Sequence, residues 1–196
     1  MKLVKTFGFA GLLTLTMAFV GSSSAMGEAT ALCTSDENPC AEENEIDHIH
    51  EVSQVKLLTT FFVVECNVLS LGEVLAGVLS PRVIAHGTFA YKSCGGCTVS
   101  EENGPAETII LRLGHEAGDV TGESLIHVEC GARFICDFSG VGMKGTAKGP
   151  LLSTQANGEV AIQKQTVNLE SGGFLCPEIA KLDIITTPLS AVYIST

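Results

Sequence analysis

Tryptophan is absent from the 196 residues, and tyrosine occurs only twice. Because sugar-binding surfaces are commonly built from large aromatic rings, this composition favours other kinds of binding over a carbohydrate-binding function. Basic side chains are also scarce, with 11 Lys and Arg against 22 Asp and Glu and a net charge of −11. A surface of this charge repels phosphate backbones, so the composition argues against nucleic acid as a partner.

Long apolar runs are missing after the first 25 residues, so no later segment could span a bilayer as a helix. At the N terminus, Lys2 and Lys5 precede an apolar stretch at residues 7–20, and small residues follow it. This pattern is typical of a secretory signal peptide and predicts cleavage after Ala25. A membrane anchor is the alternative, but the apolar run is shorter than the ~20 residues that a span needs. Cleavage removes two lysines and leaves a secreted, acidic protein with a net charge of −13.

All eight cysteines lie beyond the predicted cleavage site. An even number in an exported chain predicts disulfide bonds and an oxidising extracellular or periplasmic location. Cys94-Gly-Gly-Cys97 has the spacing of a thiol-disulfide active site, but the β-favouring residues that follow provide no helix N terminus to stabilise a thiolate. A zinc site is disfavoured by the oxidising compartment. The cysteines are Cys33, Cys40, Cys66, Cys94, Cys97, Cys130, Cys136 and Cys176.

The pairing of these cysteines cannot be deduced from the sequence, and local geometry only ranks the possibilities. One pair flanks a turn that contains proline, one lies on two apolar segments typical of a hairpin, and one closes across two glycines. These pairs are Cys33–Cys40, Cys130–Cys136 and Cys94–Cys97, which leaves Cys66–Cys176 as a long bridge. The main alternative joins Cys66 to Cys130.

From residue 54 onward the chain consists of short segments rich in Val, Ile, Thr and Phe, separated by Gly, Pro and Asn. This pattern predicts β-strands at residues 55–68, 83–91, 108–113, 124–130, 133–138, 141–148, 158–168, 181–187 and 191–195. Residues 69–79 have a weak helical pattern. Strands at such spacing predict a single all-β domain, an antiparallel sandwich or a partly open barrel. The expected organisation is a signal peptide at 1–25, a polar disulfide-closed arm at 26–53 and a β domain at 54–196.

Two of the predicted strands share the pattern Val-Glu-Cys, which ends at Cys66 and at Cys130. Because side chains alternate faces along a strand, inward cysteines would place the neighbouring apolar residues on the core face. That set is Phe62, Val64, Ile126 and Val128, and it leaves Glu65, His127 and Glu129 on the outer face. Equivalent strands in two halves of the chain would explain the similarity. The simpler explanation is that such residues are common in β-strands generally.

Several cysteine motifs resemble those of a group of uncharacterised secreted bacterial proteins. They are Leu32-Cys33 with Asn38-Pro39-Cys40, Val64-Glu65-Cys66, Cys94-Gly95-Gly96-Cys97-Thr98-Val99 and Gly172-Gly173-Phe174-Leu175-Cys176-Pro177. The run at residues 149–159 is similar to that of closer members of the group. The resemblance covers most of the exported chain and implies export, β structure and a cysteine framework. It implies no activity, ligand or catalytic residue.

The most ligand-like cluster is Asp47, His48 and His50, since His-x-His pairs are common in metal sites. On a strand, His48 and His50 would face the same way. The third ligand would come from a carboxylate or from His86, His115 or His127. The alternative is that the two histidines are simply solvated in an acidic arm. Calcium would need converging oxygens from Asp36, Glu37, Glu42 and Glu43, and the sequence has no EF-hand pattern.

Hydrolase signatures such as Gly-x-Ser-x-Gly and His-Glu-x-x-His are absent, and no cofactor motif is present. The composition and motifs favour a non-catalytic extracellular protein that binds an unknown ligand or associates with a surface. One alternative is an extracellular hydrolase whose Ser, His and Asp are assembled only by folding. The other is a metal-binding exoprotein that uses His48 and His50.

Overall fold

The computed structural model describes residues 29–79, 81–102, 106–114, 116–150 and 157–196. The predicted signal peptide, its cleavage site after Ala25, and His115 lie outside these ranges. The described chain forms β-strands and one short 3₁₀ turn at Glu42–Asn44. It contains no helix with the length and apolar character needed to cross a membrane.

The strands are long, and several of them join segments that the sequence pattern had separated. They are β1 Ala31–Cys33, β2 His48–Leu58, β3 Val63–Leu79, β4 Arg82–Lys92, β5 Thr98–Glu101, β6 Ala106–Gly114, β7 Ala117–Cys130, β8 Phe134–Lys148, β9 Glu159–Gly172, β10 Ile179–Pro188 and β11 Tyr193–Ser195. The weakly helical stretch at 69–79 is therefore strand, and residues 48–53 of the predicted arm belong to β2. The strand predicted at 55–68 is instead a hairpin with a turn at residues 59–62.

Eight strands close into an antiparallel barrel in the order β2, β3, β4, β6, β7, β8, β9 and β10, with β10 pairing back onto β2. The extra strand β5 pairs with the second half of β7, beyond the part that pairs with β6. The all-β prediction is confirmed. Instead of the two facing layers of a sandwich, one sheet curves until its edges meet, which leaves no open edge between β10 and β2.

The closure depends on strong curvature, and glycine supplies it at two places in β8. Gly142 has a φ of 62° and lies where the register between β7 and β8 shifts. At Gly145 an added Cβ would lie only 2.4 Å from the carbonyl oxygen of Ala161 on β9. A bulge and a close strand approach of this kind let a wide sheet bend into a barrel.

The inside of the barrel is the hydrophobic core. Side chains alternate along each strand, and Phe138 and Leu182 are among those fully removed from solvent. In the two Val-Glu-Cys strands, Val64, Ile126 and Val128 are buried, whereas Glu65 and Glu129 are exposed, as the alternation predicts.

Three disulfides lie at the end of the barrel where β2 turns into β3 and β7 turns into β8, which we call the hairpin end. They are Cys66–Cys94, Cys97–Cys130 and Cys136–Cys176. The predicted pairs Cys94–Cys97, Cys130–Cys136 and Cys66–Cys176 are wrong, and so is the alternative Cys66–Cys130. The ranking by local geometry was wrong for two reasons. Cys94 and Cys97 form bridges to two different strands, β3 and β7. In the hairpin of β7 and β8, Cys130 is opposite Phe134 rather than Cys136.

The opposite end is closed by the N-terminal arm, and we call it the arm end. Here β1 pairs with β11, which places Leu32 opposite Ile194, and both side chains are buried. The predicted Cys33–Cys40 bridge is confirmed. The loop that it closes holds the last strand, because the N–H of Cys40 donates to the carbonyl of Thr196 at 2.7 Å.

Candidate functional site

Between the two ends the barrel contains a cavity with about 80 Å³ of space for the centre of a water-sized sphere. One water needs roughly 10–15 Å³ on this measure, so the cavity could hold several waters or a small organic molecule. Its wall is mostly aliphatic and aromatic, and β1 and β11 close it from the arm end. The lining includes Leu32, Val55, Ala85, Ala106, Ile110, Met143, Ile162, Ile184, Val192 and Ile194.

Glu51 places a carboxyl group in this apolar wall. It lies on the inward face of β2, opposite Ser70 on β3 and Pro188 on β10. The hydroxyl of Ser70 donates to Oε2 of Glu51 at 3.2 Å. Burial raises the pKa of Glu51 to about 7, and the Ser70 hydrogen bond opposes this only in part. The group can therefore be charged or neutral near neutral pH.

Two aromatic rings continue the wall next to this carboxyl group. Phe89 on β4 is opposite Ser70, so Glu51, Ser70 and Phe89 form a row across three neighbouring strands. Adjacent strands are about 4.8 Å apart, so the row spans roughly 10 Å of the cavity. Tyr91 is the next inward residue, with its ring centroid 6.3 Å from that of Phe89. Burial, and then the nearby negative charge of Glu101, raise the pKa of the Tyr91 phenol.

A second carboxyl group, Glu101 at the end of β5, lies beyond Tyr91. The hydroxyl of Ser124, which lines the cavity, donates to its Oε1 at 3.0 Å. Burial raises the pKa of Glu101 to about 7, while the Ser124 hydrogen bond acts to lower it. The polar side chains that face the interior are thus carboxyls and hydroxyls, with no amide among the cavity-lining residues that the structure describes. Lys148 also lies at the margin of the cavity, but its side chain is exposed to solvent.

His48 and His50 are exposed on the outer wall, on the same face of β2, as the alternation predicts. His48 is opposite Glu73 on β3, and Glu73 is opposite His86 on β4. Nε2 of His86 lies 3.2 Å from Oε2 of Glu107. The side chains of this row do not converge. In the described ranges no three His, Cys, Asp or Glu residues are close enough to hold a metal ion. Metal binding by Asp47, His48 and His50 stays a prediction.

A Ser, His and Asp grouping also lies on the outer wall. Nδ1 of His127 is 2.6 Å from Oδ1 of Asp137, and the hydroxyl of Ser171 donates to Oδ2 of the same carboxylate. The two hydrogen bonds, that of Ser171 first, lower the pKa of Asp137. Because Ser171 is bonded to the aspartate rather than to the histidine, it is not placed as a nucleophile. Ser100 is opposite His127 on β5, but no side-chain hydrogen bond joins these two described residues.

The residues that line the cavity were not among the sequence-based candidates. Glu51 directly follows the Asp47, His48 and His50 cluster in the sequence but lies on the opposite face of β2 from the two histidines. A usable signal was nevertheless present, because Ile49, Glu51, Ser53 and Val55 share one strand face, and Ile49 and Val55 are apolar. A carboxyl group on the apolar face of an alternating strand points to a buried site.

No family model, curated protein or solved structure matches this chain. The function therefore has to be inferred from the cavity and its lining.

Proposed function

We propose that the protein is an exported, non-catalytic binding protein that holds a small, mainly apolar molecule inside the barrel. The observation that carries this proposal is the apolar cavity inside the barrel with a few fixed polar groups. Eight-stranded barrels have interiors that are either just filled by side chains or open enough for one small ligand. An apolar space with few polar groups is the common form of a small-molecule site.

The choice of side chains supports binding over simple core packing. Ala85 on β4 and Ala106 on β6 line the cavity where larger aliphatic residues would fill it. Protein cores are normally packed without voids, because unfilled space forfeits dispersion contacts. Retaining small residues around an internal space therefore favours a function for that space.

Export supports the same proposal. Four disulfides are typical of proteins that work in an oxidising extracellular or periplasmic environment. The signal-peptide pattern and the resemblance to secreted bacterial proteins agree with that location. A barrel cross-linked by disulfides would keep its cavity intact in such an environment.

Binding can be tested by titrating the purified exported form with an apolar dye whose fluorescence rises on leaving water. The variant Ala85→Leu fills the cavity, and Ala90→Leu is its matched control, since Ala90 is exposed on the opposite face of the same strand. We expect Ala85→Leu to weaken binding at least tenfold and Ala90→Leu to leave it unchanged, with thermal unfolding checked for both. Equal binding by the two variants would place the dye on the surface and contradict the proposal.

A further inference from the structure

The carboxyl group of Glu51 makes no ion pair within the described part of the chain, and its one hydrogen-bond partner there is the hydroxyl of Ser70. Its other cross-strand neighbour, Pro188, offers no charge. An ionised carboxylate in apolar surroundings is unfavourable unless a positive group compensates it. A carboxyl group held in this position therefore has either a proton or a cationic guest as its complement.

The surrounding wall favours the same kind of guest. Phe89 and Tyr91 offer aromatic faces, which attract cations and also pack against apolar groups. The second interior carboxyl group, Glu101, adds negative potential from beyond Tyr91. The whole chain has 22 acidic and 11 basic residues, so its field draws cations inward and repels anions.

We propose that the cavity takes a small amine with an apolar or aromatic body, whose ammonium group pairs with the Glu51 carboxylate while its body packs against Phe89 and Tyr91. This assignment rests on the proposed function and names the class of ligand. The row from Glu51 to Phe89 spans roughly 10 Å, which suits an amine separated from a ring by a short chain. The pairing is ionic and reversible, and no covalent step takes place.

The first test compares three probes that share a phenyl ring: 2-phenylethylamine, 2-phenylethanol and phenylacetate. Calorimetry with the wild-type protein at pH 8, where Glu51 is mainly ionised, should show the amine binding at least tenfold more tightly than the alcohol. The acid should bind most weakly. This comparison needs no variant. Equal affinities for amine and alcohol would overturn the assignment of an ammonium group and leave the cavity function standing.

The second test uses Glu51→Gln, with Glu65→Gln as the matched control on the exposed face of β3. Glu51→Gln should remove the preference for the amine, whereas Glu65→Gln should keep it. An unchanged preference in Glu51→Gln would refute the role of this residue. If the apolar dye binds and none of the three probes does, the amine class is wrong. If neither dye nor probe binds, the proposed function itself fails.

Discussion

Ser53 and Thr186 share a hydrogen bond of 2.8 Å between their hydroxyls at the seam where β10 pairs with β2. Both side chains are buried, and they are 133 residues apart in the sequence. The seam joins the first and last strands of the barrel, so this bond lies where the sheet closes. Each hydroxyl satisfies the other at a position that is buried from bulk solvent.

We expect Ser53→Ala to destabilise the protein by about 1–3 kcal/mol, because the buried hydroxyl of Thr186 loses its partner. The double variant Ser53→Ala with Thr186→Val should recover much of that loss, since it leaves no buried hydroxyl unpaired. A double-mutant cycle measured by urea unfolding checks the coupling. Additive effects of the two substitutions would show that the hydroxyls act independently.

Glu51 should make stability fall as pH rises from about 4.5 to about 7. In that window the unfolded chain releases the proton while the folded protein, with its raised pKa, retains it. The shift corresponds to about 3 kcal/mol at most. Glu51→Gln should therefore stabilise the protein at pH 8 and have little effect at pH 4.

The measurement is the free energy of unfolding of Glu51→Gln relative to wild type across this pH range. Glu101 has a pKa raised by burial as well, so the difference between variant and wild type, rather than the wild-type curve alone, isolates Glu51. Glu129→Gln, on the exposed face of β7, supplies the control, because Glu65 forms an ion pair with Lys56 that its substitution would remove. A pH-independent effect of Glu51→Gln would mean that its carboxyl group has no raised pKa.

The disulfides should differ in the stability they provide. Cys136 and Cys176 are separated by 40 residues, whereas Cys33 and Cys40 are separated by 7. Chain entropy predicts a contribution of about 4 kcal/mol for the longer loop and about 2 kcal/mol for the shorter one. Replacing both cysteines of Cys136–Cys176 by alanine should lower the urea midpoint more than the same change at Cys33–Cys40. Equal midpoints would contradict this order.

Gly145→Ala should destabilise the barrel wall. The new Cβ would lie 2.4 Å from the carbonyl oxygen of Ala161 and 2.7 Å from Cγ1 of Ile162, so β8 and β9 would have to separate. Overpacking of this kind costs about 1–3 kcal/mol. Gly173→Ala is the control, because its Cβ would meet nothing within 4 Å. Thermal unfolding of both variants is the measurement, and similar losses would argue against a crowded wall.

Local patterns in the sequence predict most of the strands, but they also predict a break at residues 139–140, where β8 continues. The turn at residues 59–62 was missed because its sequence, Thr-Thr-Phe-Phe, has no glycine, proline or asparagine. It is formed by the hydroxyl of Thr59, which accepts hydrogen bonds from the N–H groups of Phe61 and Phe62. A side chain that replaces a backbone turn partner is difficult to recognise from composition.

The closure of the barrel and the cavity could not be predicted in the same way. Pairing of β10 with β2 is a long-range contact, and three of the disulfides join strands that local spacing does not associate. The cavity depends on which small and large side chains meet inside, and a single sequence does not show this. Glu51 was within reach of prediction, because its position on an apolar strand face is a local property.

The distribution of the covalent bridges has a kinetic consequence. Three of them hold the hairpin end, whereas the arm end is covered by the three-residue strands β1 and β11 and the Cys33–Cys40 loop. A guest in the cavity would leave by the cover that detaches most readily, and a short two-stranded layer detaches more readily than a stapled wall. We expect the residence time of a guest to follow the opening rate of this layer, so shortening the arm would speed release without altering the cavity itself.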